Sequence, residues 1–509
     1  MARALLHLHH AYLTFTTPSK HRSILRWALR LSLLFWIAHV LSLPIAISYD
    51  GYIYLDLADV IGSARFPQDW HPGRTPLYPL ALKAAFAVLG KGPLAAIAVS
   101  SLFGLGATML LTFATRRLVG PLWAALVLII LTFYPTFVAF QHFVLTETGT
   151  AFFLALLLYL LLWLPHSAGA AWAKTAGLVA TLAVGYYWRP AILSTAPFVA
   201  ILHGIGLYRV QLSGKEAYQP LGWASKGRIA FLGAHLLLVA VVPSLLAKPW
   251  AKFGKDTAMM DVTLRQGIIR QALLPPEHPY VGQHRQAYER AIQESYASGN
   301  LYSGLRADLH GAMCDRIFPG VSPLSPRQLF FELIRTYPLR YLAGVSRTMA
   351  LYAGAMALQS ENRISREMIL SPGWRGAKLG DGPPRIMAKI KEDFQQQTSD
   401  GFVLHLLHWL APIYDAYTIY ASLAVFVGLL VGLWLREAPI ITLALVPLSF
   451  VLPAALVLAS IDRYAFPAYP AAFVGGVTVP VLLYRHFRRR SSAPPFEGPE
   501  KQSSSAPKN

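Results

Sequence analysis

Cysteine is almost absent from this 509-residue chain. Cys314 stands alone, so no intramolecular disulfide framework supports the fold. Charge is scarce too: Asp, Glu, Lys and Arg make up 14% of the residues, against roughly 25% in soluble domains. Acidic residues are the scarcer sign, 25 against 45 basic, for a net charge of +20. That excess does not read as a nucleic-acid surface, because much of it sits in short loops and tails beside apolar segments. No Asn-x-Ser/Thr sequon occurs, which fits a bacterial origin. Neither a fixed-period repeat nor the inverted repeat of a transporter is visible.

Long apolar runs dominate what remains. The chain is 55% hydrophobic, with a mean hydropathy of +0.43. A span needs about 20 apolar residues, and ten segments qualify: Ile24–Ile47, Pro93–Thr115, Pro121–Gln141, Thr146–Leu164, Trp172–Trp188, Pro190–Tyr208, Ile229–Ala247, Ile413–Leu435, Pro439–Ser460 and Ala465–Tyr484. Leu31–Ile47 follows a basic arm and lacks a small-residue cleavage site, so it reads as a retained first span. Lys20, Arg22, Arg26, Arg30, Arg116, Arg117, Lys174, Arg209, Lys215, Lys226, Arg228 and the run Arg485–Arg490 fall on one side under simple alternation. That side is cytoplasmic by the positive-inside rule, which puts both termini inside.

The expected fold class is therefore an all-α polytopic membrane protein of about ten transmembrane helices. A basic N-terminal arm (1–23) precedes a membrane domain (24–247) whose outer loop (48–92) carries two helix-like stretches, Gly51–Ala64 and Leu77–Leu89. Residues 248–412 form a mostly helical extracytoplasmic domain, 413–484 the last spans, and 485–509 a basic, then disordered, tail. Arg340–Leu358 is apolar but interrupted by Arg347, and reads as a helix at the interface.

Polar residues near span ends gather on the predicted outer face. Asp50 follows the first span in Ser48-Tyr49-Asp50-Gly51. Arg74 lies in His71-Pro72-Gly73-Arg74-Thr75-Pro76-Leu77-Tyr78. Glu147 opens the fourth span in Leu145-Thr146-Glu147, Arg189 sits in Trp188-Arg189-Pro190, and Arg463 follows Asp462 between the ninth and tenth spans. Both signs together can build a polar pocket at the membrane boundary, where charge costs less than at the bilayer centre. Sugar transfer from a polyprenyl phosphate needs such a pocket: a carboxylate to deprotonate the acceptor hydroxyl, and cations for the leaving phosphate. Arginine suits phosphate because its planar fork holds two oxygens.

An Asp after the first span, the basic-x-Pro-Leu-Tyr segment, Leu-Thr-Glu at the fourth span and Arg463-Tyr464-Ala465-Phe466-Pro467-Ala468-Tyr469-Pro470 together resemble the GT-C glycosyltransferase superfamily. The nearest branch is that of the protein O-mannosyltransferases and the lipid A aminoarabinose transferases. The resemblance covers residues 24 to about 250 and the last spans. It implies a polyprenyl-phosphate-sugar donor, a glycan, lipid or protein acceptor, and inverting transfer at the outer face of the cytoplasmic membrane. It makes Asp50 the catalytic base, Glu147 a second acidic residue that positions the acceptor or supports the base, and Arg74 a donor-phosphate ligand, with Arg189 and Arg463 as further phosphate candidates. The aminoarabinose branch has a metal-binding glutamate where this chain has Gly73, so a divalent metal is not supported; His71 is only a conjectural substitute.

Each residue also has a plainer reading. Asp50 could cap the helix beginning at Gly51; Glu147 could serve the helix macrodipole; Arg189 and Arg463 could be snorkelling anchors. Asp56 and Asp59 read as a solvated face, and His405 and His408 beside Trp409 as an interfacial face rather than a metal pair. A secondary transporter or lipid flippase, and a ligase or polymerase of the O-antigen type, stay open as alternatives.

Overall fold

The computed structural model describes residues 18–71, 74–212, 225–251, 326–350, 401–457 and 465–491, with positions 264, 268, 366, 369, 370, 378, 379 and 394. In chain order the elements are α1 (Pro18–Ser42), β1 (Ala46–Ile47), α2 (Tyr49–Val60), α3 (Leu77–Leu89), α4 (Pro93–Val119), α5 (Pro121–Thr132), α6 (Pro135–Gln141), α7 (Glu147–Leu162) and α8 (Ala168–Trp188). Then come a 3-10 turn (Pro190–Thr195), α9 (Ala196–Leu212), α10 (Ser225–Ala251), α11 (Pro326–Thr336), α12 (Pro338–Ala350), β2 (Lys378–Leu379), α13 (Phe402–Leu435), α14 (Ala438–Val457) and α15 (Tyr469–Ser491). Among the described residues six helices are long and apolar enough to cross a membrane, and the pair α5 and α6 would make a seventh span. The chain is an all-α polytopic bundle; its only strands there are β1 and β2, two residues each, paired in parallel.

Glycine lets the apolar helices approach closely, because lipid offers no hydrophobic drive for helix association. Gly106 of α4 lets the Phe152 ring of α7 approach to where a Cβ would stand 2.9 Å away. Ser101, Thr108, Thr112 and Thr115 in α4 donate to the carbonyls of Ile97, Gly104, Thr108 and Leu111, so their hydroxyls are satisfied without water.

Three departures from the sequence reading have local causes. The segment expected as one span over Pro121–Gln141 is broken after Thr132 and bent by 59°. Pro135 has no N–H to offer Leu131 O, and at the break the Tyr414 hydroxyl donates to Ile130 O, in place of Tyr134 N, at 2.8 Å. The helix expected from Ile413 already begins at Phe402 and carries Pro412 inside it. Lys174, read as a loop charge, is buried in α8, where its Nζ donates to Leu161 O at 3.0 Å and Trp163 O at 2.8 Å. It thereby satisfies carbonyls left open at the C-terminus of α7.

Ten spans were expected, whereas Glu147–Leu162 and Ala438–Pro453 are shorter apolar helices and the first helix ends at Ser42 rather than Ile47. Helix α3 spans Leu77–Leu89 as expected. Arg340–Leu358 contributes α12 up to Ala350, with the remainder outside the described residues. At the end of the bundle predicted to be cytoplasmic, Arg485 donates to Leu118 O and Val119 O at 3.2 and 2.9 Å, and His486 pairs with Glu437 at 2.9 Å. The C-terminal arginine run thus begins with a cap on α4. His405, His408 and Trp409 are exposed on the first turns of α13, while Leu404 and Leu407 face inward.

Candidate active site

Two loops deliver the acidic residues to the opposite end of the bundle. After α1 the chain pairs with the segment following α6: Ala46 N donates to His142 O at 2.9 Å and Val144 N to Ala46 O at 3.2 Å. Ser48 then caps α2 by accepting from Gly51 N at 3.3 Å, so Asp50 is free of the N-cap role and stands in the first turn instead. Thr146 precedes α7 without a side-chain cap, and Glu147 opens it. A negative charge in a first helical turn is favoured by the macrodipole, which holds for both residues.

Each acid meets an arginine. The Arg74 guanidinium bonds the Asp50 carboxylate through Nη2 and Oδ1. Arg189 Nη1 lies 3.3 Å from Glu147 Oε1. Exposure separates the pairs: Asp50 and Arg74 each keep 21% of their side-chain surface, Glu147 only 3% and Arg189 13%. Asp50–Arg74 is therefore the reachable pair and Glu147–Arg189 the sheltered one.

Tyr54 joins them. Four residues after Asp50 on α2, it shares the same helix face. Arg74 Cζ stands 5.1 Å from its ring centre, and Arg74 Nη1 is 3.5 Å from its hydroxyl. Burial pushes the Tyr54 hydroxyl above its ordinary value, and Arg74, Asp50, Glu147 and Arg189 all act on it electrostatically. Both ion pairs therefore lie near enough to act on one phenol, which Arg74 touches directly.

Trp188 sets the floor. Its Nε1 donates to Thr146 O at 2.8 Å, and its own carbonyl accepts from Thr75 Oγ1 at 3.0 Å. Its indole lies where a Cβ on Gly149 would overlap it. Through its indole Trp188 ties down the residue before Glu147, and through its backbone carbonyl the residue after Arg74, while itself immediately preceding Arg189. Trp70 Nε1 adds a bond to Arg74 O at 2.8 Å.

Of the five residues singled out from the sequence, Asp50, Arg74, Glu147 and Arg189 come together; Arg463 and its neighbour Asp462 lie outside the described residues. Asp56 pairs with Arg65 at 3.2 Å and Asp59 with Lys91 at 2.9 Å, away from these contacts. Tyr54, Trp188 and Thr75 were not singled out. The i,i+4 spacing from Asp50 could have pointed to Tyr54, whereas nothing in the sequence marks which tryptophan wedges under the site.

Among the described residues no three His, Cys, Asp or Glu side chains converge as metal ligands. His71 is near enough for Asp50 and Arg74 to act on it, and burial first, then Arg74, hold it below its ordinary value. Asp50 and His71 by themselves supply fewer ligands than the six or more oxygens a divalent ion such as Ca2+ takes.

No protein-family model matches the chain, and no curated protein matches it either. Among solved structures it is similar to ArnT from Cupriavidus metallidurans bound to undecaprenyl phosphate, at 14% identity over 89% of this chain and 77% of that one, with a TM-score of 0.35. It is also similar to the oligosaccharyltransferase of Archaeoglobus fulgidus in the apo form, at 14% identity over 93% of this chain and 52% of that one, with a TM-score of 0.38.

Proposed function

We propose that the chain is a membrane glycosyltransferase of GT-C type. It moves a sugar from a polyprenyl-phosphate donor to an acceptor hydroxyl on the extracytoplasmic side, with inversion at the anomeric carbon. The observation that carries this reading is that two carboxylate–arginine pairs are held side by side, through Trp188, at one end of an apolar bundle. A lipid-borne phosphate ester needs such a place, because its charged head and its apolar tail must be held at once.

In this reading Asp50 is the base. The acceptor oxygen bonds to the anomeric carbon while its proton passes to the Asp50 carboxylate. The bond from that carbon to the phosphate oxygen breaks, and polyprenyl phosphate leaves with the electron pair. Arg74 is engaged with Asp50 in the resting site. An arriving donor phosphate offers it a second anion, and as the guanidinium turns to the phosphate it frees a carboxylate oxygen for the acceptor proton. Arg74 then stabilises the charge that grows on the leaving group. Glu147, sheltered with Arg189, orients the acceptor or supports the base, and Arg463 is a further phosphate candidate.

Purified protein in proteoliposomes, given polyprenyl-phosphate sugars and extracts of the envelope as acceptor source, provides the test. Asp50→Asn should abolish transfer while leaving membrane insertion intact; a variant that keeps full activity removes Asp50 from the base role. Glycolipid profiling of a deletion strain should show the donor lipid accumulating and one glycan losing a sugar.

A lipid transporter is the second reading. The helix break at Phe133–Tyr134 and the buried Thr175, His203 and His235, whose rings both meet the Thr175 hydroxyl, are features it would share. Movement of the donor lipid across the bilayer without any sugar transfer would favour it.

A further inference from the structure

His39 and His142, 103 residues apart in sequence, meet inside the bundle, both buried, with His39 Nδ1 and His142 Nε2 at 3.0 Å. Their rings are inclined by 64° with centroids 5.3 Å apart, an edgewise rather than a stacked contact. Such a contact requires one ring to donate its N–H and the other to accept. Neither histidine belongs to the site described above.

Their places in the chain give the pair its meaning. His39 lies in the last turn of α1, and its carbonyl accepts from Leu43 N at 3.0 Å. From there the chain runs through Ala46 to Ser48 and Asp50. His142 closes α6, and the chain runs on through Phe143 to Thr146 and Glu147. These two connectors are already sewn by the Ala46–His142 and Val144–Ala46 backbone bonds. Gly51, the residue after Asp50, presses on the second connector so closely that a Cβ there would stand 3.1 Å from Val144 O. The imidazole pair is the side-chain part of the junction from which both acids are launched. In an apolar interior its hydrogen bond has no water to exchange with, so it holds register strongly.

We propose that His39 and His142 are positioning residues for the site, setting the separation of the segments that carry Asp50 and Glu147. The catalytic consequence rests on the sugar-transfer reading; the geometric claim does not.

The two nitrogens differ, and that gives a position-specific test. Asparagine carries its amide near the place of a histidine Nδ1, and glutamine near the place of Nε2. His39→Asn and His142→Gln should therefore keep transfer within about twofold of wild type. His39→Gln, His142→Asn and His39→Phe should lose about tenfold or more in turnover, with the KM for donor unchanged, as expected for misplaced reacting groups. In protein labelled with 15N-histidine, wild type should show an N–N scalar coupling across the pair. The carboxyl carbons of Asp50 and Glu147, labelled with 13C, should shift in His39→Phe and hold in His39→Asn. If His39→Phe fails to insert, His39→Gln supplies the same comparison. Four amide variants that behave alike, no coupling in wild type, or carboxyl resonances that ignore the loss of the bond would each overturn the proposal. The spectra need no substrate, so they decide the geometry even in a protein that transfers nothing. An inactive wild type would count against the transferase reading alone.

Discussion

Arg74 has two anions to serve in the proposed cycle, Asp50 at rest and a phosphate during transfer, and the side chain suits both. Its guanidinium rests beside the Tyr54 ring, which contributes about 0.5–1 kcal/mol at partly exposed sites and orients the fork. Arg74→Ala removes the fork and the charge together, and losing such a donor typically lowers turnover by about 100-fold or more. Arg74→Lys keeps the charge without the bidentate geometry, and should retain more activity with a raised KM for donor. Initial rates against donor concentration check this; identical donor dependence in all three proteins would remove Arg74 from phosphate binding. Asp50, Arg74, Glu147 and Arg189 were legible at this scale because ionised residues at the ends of apolar segments are rare and therefore stand out. Tyr54 and Trp188 were not, since an aromatic in an apolar chain is the ordinary case.

Helix α7 shows how an element is held at both ends by residues from elsewhere. At its N-terminus the Trp188 indole lies against Gly149 and bonds Thr146 O. Gly149→Ala would drive a methyl into that ring. The expected cost is about 1–3 kcal/mol for overpacking, together with a loss of activity larger than the loss of stability, because Trp188 also braces the Arg74 and Arg189 segments. Measuring both the melting temperature in detergent and transfer rate separates the two effects; a variant as active as wild type would show that Trp188 does not set the site. At the other end, Lys174→Ala leaves the Leu161 and Trp163 carbonyls without their donor. A destabilisation of about 1–3 kcal/mol is expected, with turnover per folded molecule unchanged. Helix positions were well legible, as α3 and α4 show, because hydropathy and proline placement act locally. The break between α5 and α6 was less so. An apolar run reads through Pro135, and the Tyr414 hydroxyl that satisfies Ile130 O at the interruption comes from nearly 300 residues away.

Asp50, Arg74, Glu147 and Arg189 occupy one end of the bundle, while Leu118, Glu437 and Arg485 occupy the other. The basic loops predict that the first end faces outward. In a Cys314→Ser background, a membrane-impermeant maleimide added to intact cells should label Gln68→Cys, whereas Arg436→Cys should react only after the membrane is opened. Both positions are exposed on the protein. The reverse pattern would invert the topology and remove an extracytoplasmic donor from the proposal.

Apolar runs, the scarcity of charge and the placement of basic loops determined from the sequence alone that this is a polytopic helical membrane protein with acids and arginines near its span ends. Those properties are additive along the chain, so a linear reading recovers them. The tertiary structure decided the partners: Asp50 with Arg74, Glu147 with Arg189, His39 with His142, and Lys174 with the end of α7 rather than with water. Partner choice depends on how segments far apart in sequence pack, and a buried polar group in an apolar medium takes whichever partner that packing brings within reach.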